Sequence, residues 1–160
     1  MQSTQNMQER VLKTLEYDKI RGELKLRASC LISRELAEAI MPSSDFDEVQ
    51  RQLMLTGEAE TLVYRTGQSP VDDFPDMRQC LKRIHAALFV SPGELLGIAK
   101  CLRAARVARE LLTKENEESL LYNLASFLTV HRSVEEEISR CIISEDEIFD
   151  GASPALSRIR

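Results

Sequence analysis

Every long segment of this 160-residue chain carries apolar residues at spacings of three and four, and no alternation of useful length appears anywhere. Such a period gathers apolar side chains on one face of an α-helix, whereas a half-buried strand needs a period of two. A doubly wound sheet or a barrel is therefore not supported. The reading is an all-α chain, an irregular multi-helix bundle of about seven or eight helices. At this length one domain, or most of one, is expected, and folding can bury about 68–70% of the unfolded surface with no disulfide or metal staple.

Local signals mark where these helices start and stop. Between Glu9 and Ala28, the residues Val11, Leu12, Leu15, Ile20, Leu24 and Ala28 recur at threes and fours, and Asp18 is placed to cap a restart after Tyr17. That pattern predicts two short helices. Ser33 to Met41 continues as another, ended by Pro42, which has no N–H for an interior helical bond. Asp45 followed by Glu48 has capping-box spacing, and Phe46, Val49, Leu53, Thr56, Ala59 and Leu62 mark one face of a helix to about Arg65. Gly67 stops it, and Gly57 in its middle predicts a bend or a close helix contact.

Residues 67–75 are dense in turn formers and read as a loop. A helix from Asp76 to about Leu88 follows, with Met77, Leu81, Ile84 and Leu88 inward. Ser91-Pro92-Gly93-Glu94 then combines a serine cap, a proline at the first helical position and a glutamate at the third. It opens a helix through Leu95, Ile98, Ala99, Leu102, Ala105 and Leu112. Glu117 to about Leu128 and Val134 to Ile143 are two shorter helical patterns, and residues 145–151 are extended or turn-like, with Ile148 and Phe149 as anchors. Ser153-Pro154 repeats the serine-proline start, but the chain stops at Arg158-Ile159-Arg160 without a terminating residue. The expectation is an element that continues, and a chain that is the N-terminal part of something larger.

With 43% hydrophobic and 29% charged residues, disordered, collagenous and cysteine-rich secreted classes drop out. No charge-free stretch approaches the roughly 18 residues of a membrane-spanning helix, and the polar start Met1 to Asn6 does not read as a secretory signal, so a cytoplasmic address is expected. Cys30, Cys80, Cys101 and Cys141 form no C-x-x-C pair, and read as small buried residues with free thiols in a reducing compartment.

The net charge of −5 hides a segmentation. Residues 1–34 carry +3, 35–76 carry −8, 77–114 carry +6, 115–150 carry −8 and 151–160 carry +2. Blocks of one sign create local fields that the net value conceals. In the basic block, Lys100, Arg103, Arg106 and Arg109 recur every three residues, each step drifting by about 60° round the helix. With Lys82 and Arg83 on the preceding helix they form a candidate patch for phosphates or an acidic surface. The other reading is a solvated helix face whose charges pair with the acidic blocks of the same chain. Too few aromatics accompany the arginines for a platform that stacks single-stranded bases.

Catalytic constellations are absent from the sequence. None of the six glycines is followed by lysine, so there is no phosphate loop, and G-x-G-x-x-G, H-E-x-x-H and G-x-S-x-G are missing too. His85 and His131, 46 positions apart, read as structural. Glu135-Glu136-Glu137 point in three directions along a helix and read, with Glu145-Asp146-Glu147, as a solvated face and not as cation ligands. No catalytic, cofactor-binding or metal residue is assigned.

Leu15-Glu16-Tyr17-Asp18-Lys19-Ile20, Pro42-Ser43-Ser44-Asp45 before a long helix, and Asp76-Met77-Arg78 through Leu81-Lys82-Arg83 follow one another along the chain. Val90-Ser91-Pro92-Gly93-Glu94-Leu95-Leu96 followed by Leu102-Arg103-Ala104-Ala105-Arg106, and Ala152-Ser153-Pro154-Ala155-Leu156 before Arg158-Ile159-Arg160, complete the set. In this unbroken order the stretches resemble the N-terminal region of bacterial MutS-two proteins. The resemblance implies a helical core domain over 1–152 and, over 153–160, the start of a long lever helix rising to a clamp.

It also implies a parent that uses ATP and Mg in a MutS-type ATPase, dimerises through that ATPase, and often carries a nuclease domain. Such parents are associated with branched or double-stranded DNA, suppression of recombination, and the ribosome and its RNA. The segment itself would have no catalysis. Arg158 and Arg160 join Lys82, Arg83, Lys100, Arg103, Arg106 and Arg109 as candidate nucleic-acid contacts. The sequence departs from the family at Ala87 and Leu88, where glycines are usual, so that the helix there is expected to run longer, and at Gly57, Gly93 and Gly97, each expected to weaken its helix slightly. The alternative function is a free-standing helical module docking an acidic protein or RNA through residues 78–114.

Overall fold

A computed structural model describes residues 10–114 and 117–159. Among them every regular element is helical, with one isolated bridge between Ile142 and Ile148, and seven helices reach seven residues or more. The chain is all-α, as its periodicity requires. No described helix is long and apolar enough to cross a membrane. The chain divides into two compact units, Met1–Pro42 and Ser43–Arg160.

In the first unit residues 10–14 are helical, followed by α1 (Tyr17–Arg27) and α2 (Leu31–Ala39). Two short helices replace one because Glu16 takes the left-handed conformation, at φ 52° and ψ 36°. Asp18 therefore falls in the first turn of α1 and is not its cap. There its carboxylate still complements the positive end of the helix dipole. α2 begins two residues earlier than its sequence suggests, since Cys30 stands at the cap position with its sulfur 3.5 Å from the Ser33 amide and 2.7 Å from the Ser33 hydroxyl. Cysteine is not among the favoured caps, so sequence reasoning gave it only a packing role.

The two helices are tied by Lys25 to Glu38 at 2.7 Å and by Arg21, which donates to the Glu38 carbonyl at 2.9 Å and lies over the Tyr17 ring. Cys30 and Ala37 are the buried apolar residues of this unit among those described. Val11, Leu15, Ile20 and Leu24 remain at its surface.

The second unit opens with α3 (Phe46–Thr66). The Asp45 carboxylate accepts from the amides of Asp47 and Glu48 at 3.0 and 3.1 Å. The return half of the capping box runs through Ser43, whose hydroxyl accepts from the Asp45 amide at 3.2 Å and donates to Glu48 at 2.8 Å. Gly67, at φ 69°, closes the helix by donating to the Val63 carbonyl. The expected apolar face is buried only in its second half. Leu62 is 1% exposed and Ala59 packs beside it, while Phe46 and Leu53 are 71% and 65% exposed. Leu55, outside the expected stripe, packs against the core instead.

α4 (Arg78–His85) starts where the Asp76 carboxylate accepts from the Arg78 amide at 3.0 Å. It does not run on through Ala87 and Leu88. Ala87 adopts φ 53°, and the bonds Leu88 N–H to Arg83 C=O and Ala87 N–H to Ile84 C=O, both 2.9 Å, form a Schellman closure normally built on glycine. Its inward residue is Cys80, with Met77 set against Gly97, and Leu81, Ile84 and Leu88 are exposed, contrary to the periodicity.

α5 (Pro92–Leu112) carries the complete capping box: Ser91 Oγ accepts from the Glu94 amide, and Glu94 accepts from the Ser91 amide at 2.9 Å. Its buried residues are Ala99, Ala104, Ala108 and Leu112, and the three alanines are small enough to let neighbouring elements approach. α6 (Leu120–Ser126) and α7 (Arg132–Cys141) pack on α5, and α6 also on α3. Leu62, Leu112, Leu121 and Ala125 make the core cluster. A 3-10 turn, Asp150–Ala152, leads to α8 (Leu156–Ile159), whose Leu156 amide is capped by Ser153 Oγ at 3.2 Å.

The glycines separate cleanly. A Cβ at Gly57 meets nothing within 4 Å, so no close helix contact accounts for it, whereas one at Gly97 would lie 3.1 Å from Met77 Sδ and 3.3 Å from Pro75 Cγ. Gly57→Ala should stabilise the protein by about 1 kcal/mol in chemical denaturation, and Gly97→Ala should give no such gain. Ala87→Gly should likewise stabilise by about 1 kcal/mol by relieving the left-handed alanine.

Candidate nucleic-acid interface

Seven of the eight candidate basic residues fall on α4, α5 and α8, and several of them are paired within the chain. Arg83, near the end of α4, forms an ion pair with Glu94 in the first turn of α5, so that glutamate both caps its own helix and holds its neighbour. Lys100 points toward Asp73 of the preceding loop at 3.8 Å, both side chains more than half exposed, a pair that contributes little. Arg109 donates to the Leu128 carbonyl at 2.7 Å, placing a cation where α6 ends and its free carbonyls collect.

Arg106 is the most committed. Its Nε and Nη2 donate to the two carboxylate oxygens of Glu135 on α7 at 2.9 and 3.0 Å, and its Nη1 reaches Glu110 one turn along α5. Two parallel bonds of this kind fix orientation as well as distance. Hydrogen bonds from Arg106 hold the Glu135 carboxyl below its ordinary range against the opposing effect of burial, and the fields of Arg106, Arg103 and Arg132 add to them. The same contacts, Glu135 first and Glu110 second, raise the Arg106 guanidinium further above neutrality.

Lys82, Arg103 and Arg158 are exposed and make no ion pair among the described residues. Arg160 lies outside the described residues. What remains open to a phosphate among these is thus Lys82 on α4, Arg103 and the loosely paired Lys100 on α5, and Arg158 on α8.

Glu136 and Glu137 bond Arg132 and Arg140, so the three consecutive glutamates reach three different arginines. His85 and His131 sit exposed at the end of α4 and before α7. Sequence reasoning missed Glu58. Its carboxylate accepts from Ser119 Oγ at 2.7 Å and from the Leu121 and Leu120 amides at 3.1 and 3.3 Å, fastening the start of α6 to α3. Burial pushes this carboxyl up, but the bonds from Ser119, Leu121 and Leu120 outweigh it and leave it lowered. Ser119 at a cap position was a visible signal; a partner 61 positions away was not.

No family model matches the chain. Individual relatives do, and at length. Endonuclease MutS2 of Ruminiclostridium cellulolyticum is 38% identical over 157 residues, and the proteins of that name from Acetivibrio thermocellus and Clostridioides difficile are each 36% identical over 158. Every one of these matches takes in 96% of this chain. The chain is homologous to a segment of bacterial MutS2. It spans about a fifth of the length of these relatives.

In this MutS2-like segment the carboxylates that join helices, Glu58 and Glu135, both titrate below the usual 4.5. A lowered folded-state value adds stability that is complete above the unfolded value and disappears as pH falls through the folded one. The melting temperature should therefore hold from pH 7 to about 5 and drop below about 4.5. Glu135→Gln should lower it at pH 7 and make the acid decline shallower, as followed by circular dichroism.

Proposed function

We propose that this chain is the N-terminal core and lever segment of a MutS2-like DNA-binding ATPase, without catalysis of its own. Its role is mechanical. Residues 1–152 are the helical core, and residues from Ser153 begin the lever that leads to a clamp on nucleic acid. The parent would act on branched or double-stranded DNA in repair and suppression of recombination, with ribosome rescue as a further role, and would bind ATP and Mg and dimerise outside this segment.

The observation that carries this reading is identity of 36–38% sustained over 96% of the chain against proteins named Endonuclease MutS2, of which it spans a fifth. Physical support comes from the α5–α7 pair, where the Arg106–Glu135 bonds lock two helices in one orientation. Packed helices held in that way turn as a body, which is what a lever needs.

Replacing the matching fifth of the Ruminiclostridium cellulolyticum protein by this chain tests the proposal. The chimaera should retain endonuclease activity, and a folded but inactive chimaera would overturn it. The candidate contacts separate in the same protein. Lys82→Ala, Arg103→Ala and Arg158→Ala together should weaken binding to a branched duplex and flatten its salt dependence, by about one unit of slope for each phosphate that is no longer neutralised. Arg106→Ala should instead lower the melting temperature, because its partner is Glu135.

A further inference from the structure

Helix α8 has four residues, none of them buried, so neither its own hydrogen bonds nor apolar burial can hold it in place. Among the described residues it packs on the 3-10 turn Asp150–Ala152, and that turn packs on α7. The Ser157 hydroxyl donates to the Asp150 carbonyl at 2.9 Å and Ser153 Oγ accepts from the Leu156 amide at 3.2 Å, so helix and turn form one piece. The path of the chain into α8 is therefore set where the turn meets α7.

Two features build that meeting point. The segment after α7 doubles back through the bridge between Ile142 and Ile148, and the Phe149 amide donates to the Cys141 carbonyl at 2.8 Å. The Phe149 ring lies close to Gly151, where a Cβ would sit 2.6 Å from Cε1 and 3.0 Å from Cζ, so the close approach requires glycine although its backbone is not left-handed. Beyond Phe149 the tie to α7 runs through Arg140. Its Nε and Nη2 donate to the two oxygens of Glu137 at 3.0 and 2.5 Å, which fixes the plane of the guanidinium. So held, Nη1 reaches the Gly151 carbonyl and Nη2 the Ala152 carbonyl, each at 3.4 Å. Both lie beyond the roughly 2.7–3.2 Å of an ordinary N–H···O bond, so they hold the turn weakly and can let it go.

We infer that Arg140 is the latch that sets the direction of α8. Glu137 aims the guanidinium, the guanidinium holds the carbonyls of Gly151 and Ala152, and when those two bonds open, α8 and its turn pivot together after Phe149. Resting on the reading proposed above, in which residues from Ser153 begin a lever, this latch is the joint at which a rotation of the α5–α7 pair passes into the lever.

Nitrogen-15 relaxation of the 160-residue chain tests the latch. The amides of Ala152, Ser153 and Ala155 should have order parameters near the rigid value of about 0.85, and in Arg140→Ala they should fall below about 0.6 while those of α5 and α7 stay unchanged. The Arg140 side chain is about half exposed, so its loss should leave the helical core folded. Glu137→Gln keeps the guanidinium but removes the charge that aims it, and should give an intermediate loss of order. Amides that are already mobile in the unsubstituted chain, or that keep their order in Arg140→Ala, overturn the assignment.

The chimaera with the Ruminiclostridium cellulolyticum protein reads the role in transmission. There Arg140→Ala should lower endonuclease activity at least about tenfold at unchanged melting temperature and unchanged affinity for a branched duplex, as misplacement far from the chemistry can do. Full activity overturns that role. An inactive unsubstituted chimaera sinks the MutS2 reading and the lever with it, while the relaxation of the 160-residue chain still decides the latch.

Discussion

The unit from Ser43 onward depends on how closely helices can approach α5. Ala104 and Ala108, one turn apart, give one side of that helix a low surface, and α6 and α7 pack against the helix. Alanine contributes little apolar area per residue, so close packing alone leaves the orientation of the helices weakly specified. The polar contacts supply the rest: Arg106 to both oxygens of Glu135, Arg109 to the end of α6, and Glu58 to the start of α6. Each joins two helices and satisfies groups that are partly removed from water, and hydrogen bonds to charged groups are the stronger kind.

This arrangement bears on what the basic block is for. A run of +6 beside a run of −8 invites a reading as a nucleic-acid surface, and the geometry divides it. Cations on the side of α5 that meets other elements are spent on carboxylates and a carbonyl of the same chain. Those on the outer side keep their charge available. Charge periodicity alone cannot make that division, because residues three apart on a helix drift round its axis and come to face different neighbours.

Large apolar residues at the surface have the same logic. Phe46 and Leu53 on α3, and Leu81 and Ile84 on α4, follow helical spacing as well as the residues that are buried. α3 meets α6 only along its second half, near Leu62, and α4 meets its neighbours through Cys80, Met77 and Arg83. A stripe of apolar residues states that a face is meant to be covered; it does not name the cover.

By itself the sequence determined the class of the fold and most of its boundaries. Asp45, Gly67, Ser91 with Glu94, and Ser153 act on amides and carbonyls within one turn, so their effect can be read from neighbours in the chain. The exceptions were also local but chemically unusual: a cysteine as cap, and an alanine in the left-handed closure of α4. Only the tertiary structure decided which faces are buried and which charges are paired. Those outcomes rest on groups 29 and 61 positions apart arriving within hydrogen-bond distance, as Arg106 meets Glu135 and Ser119 meets Glu58. No spacing rule reaches that far, since such contacts are set by how helices cross and not by the period along any one of them.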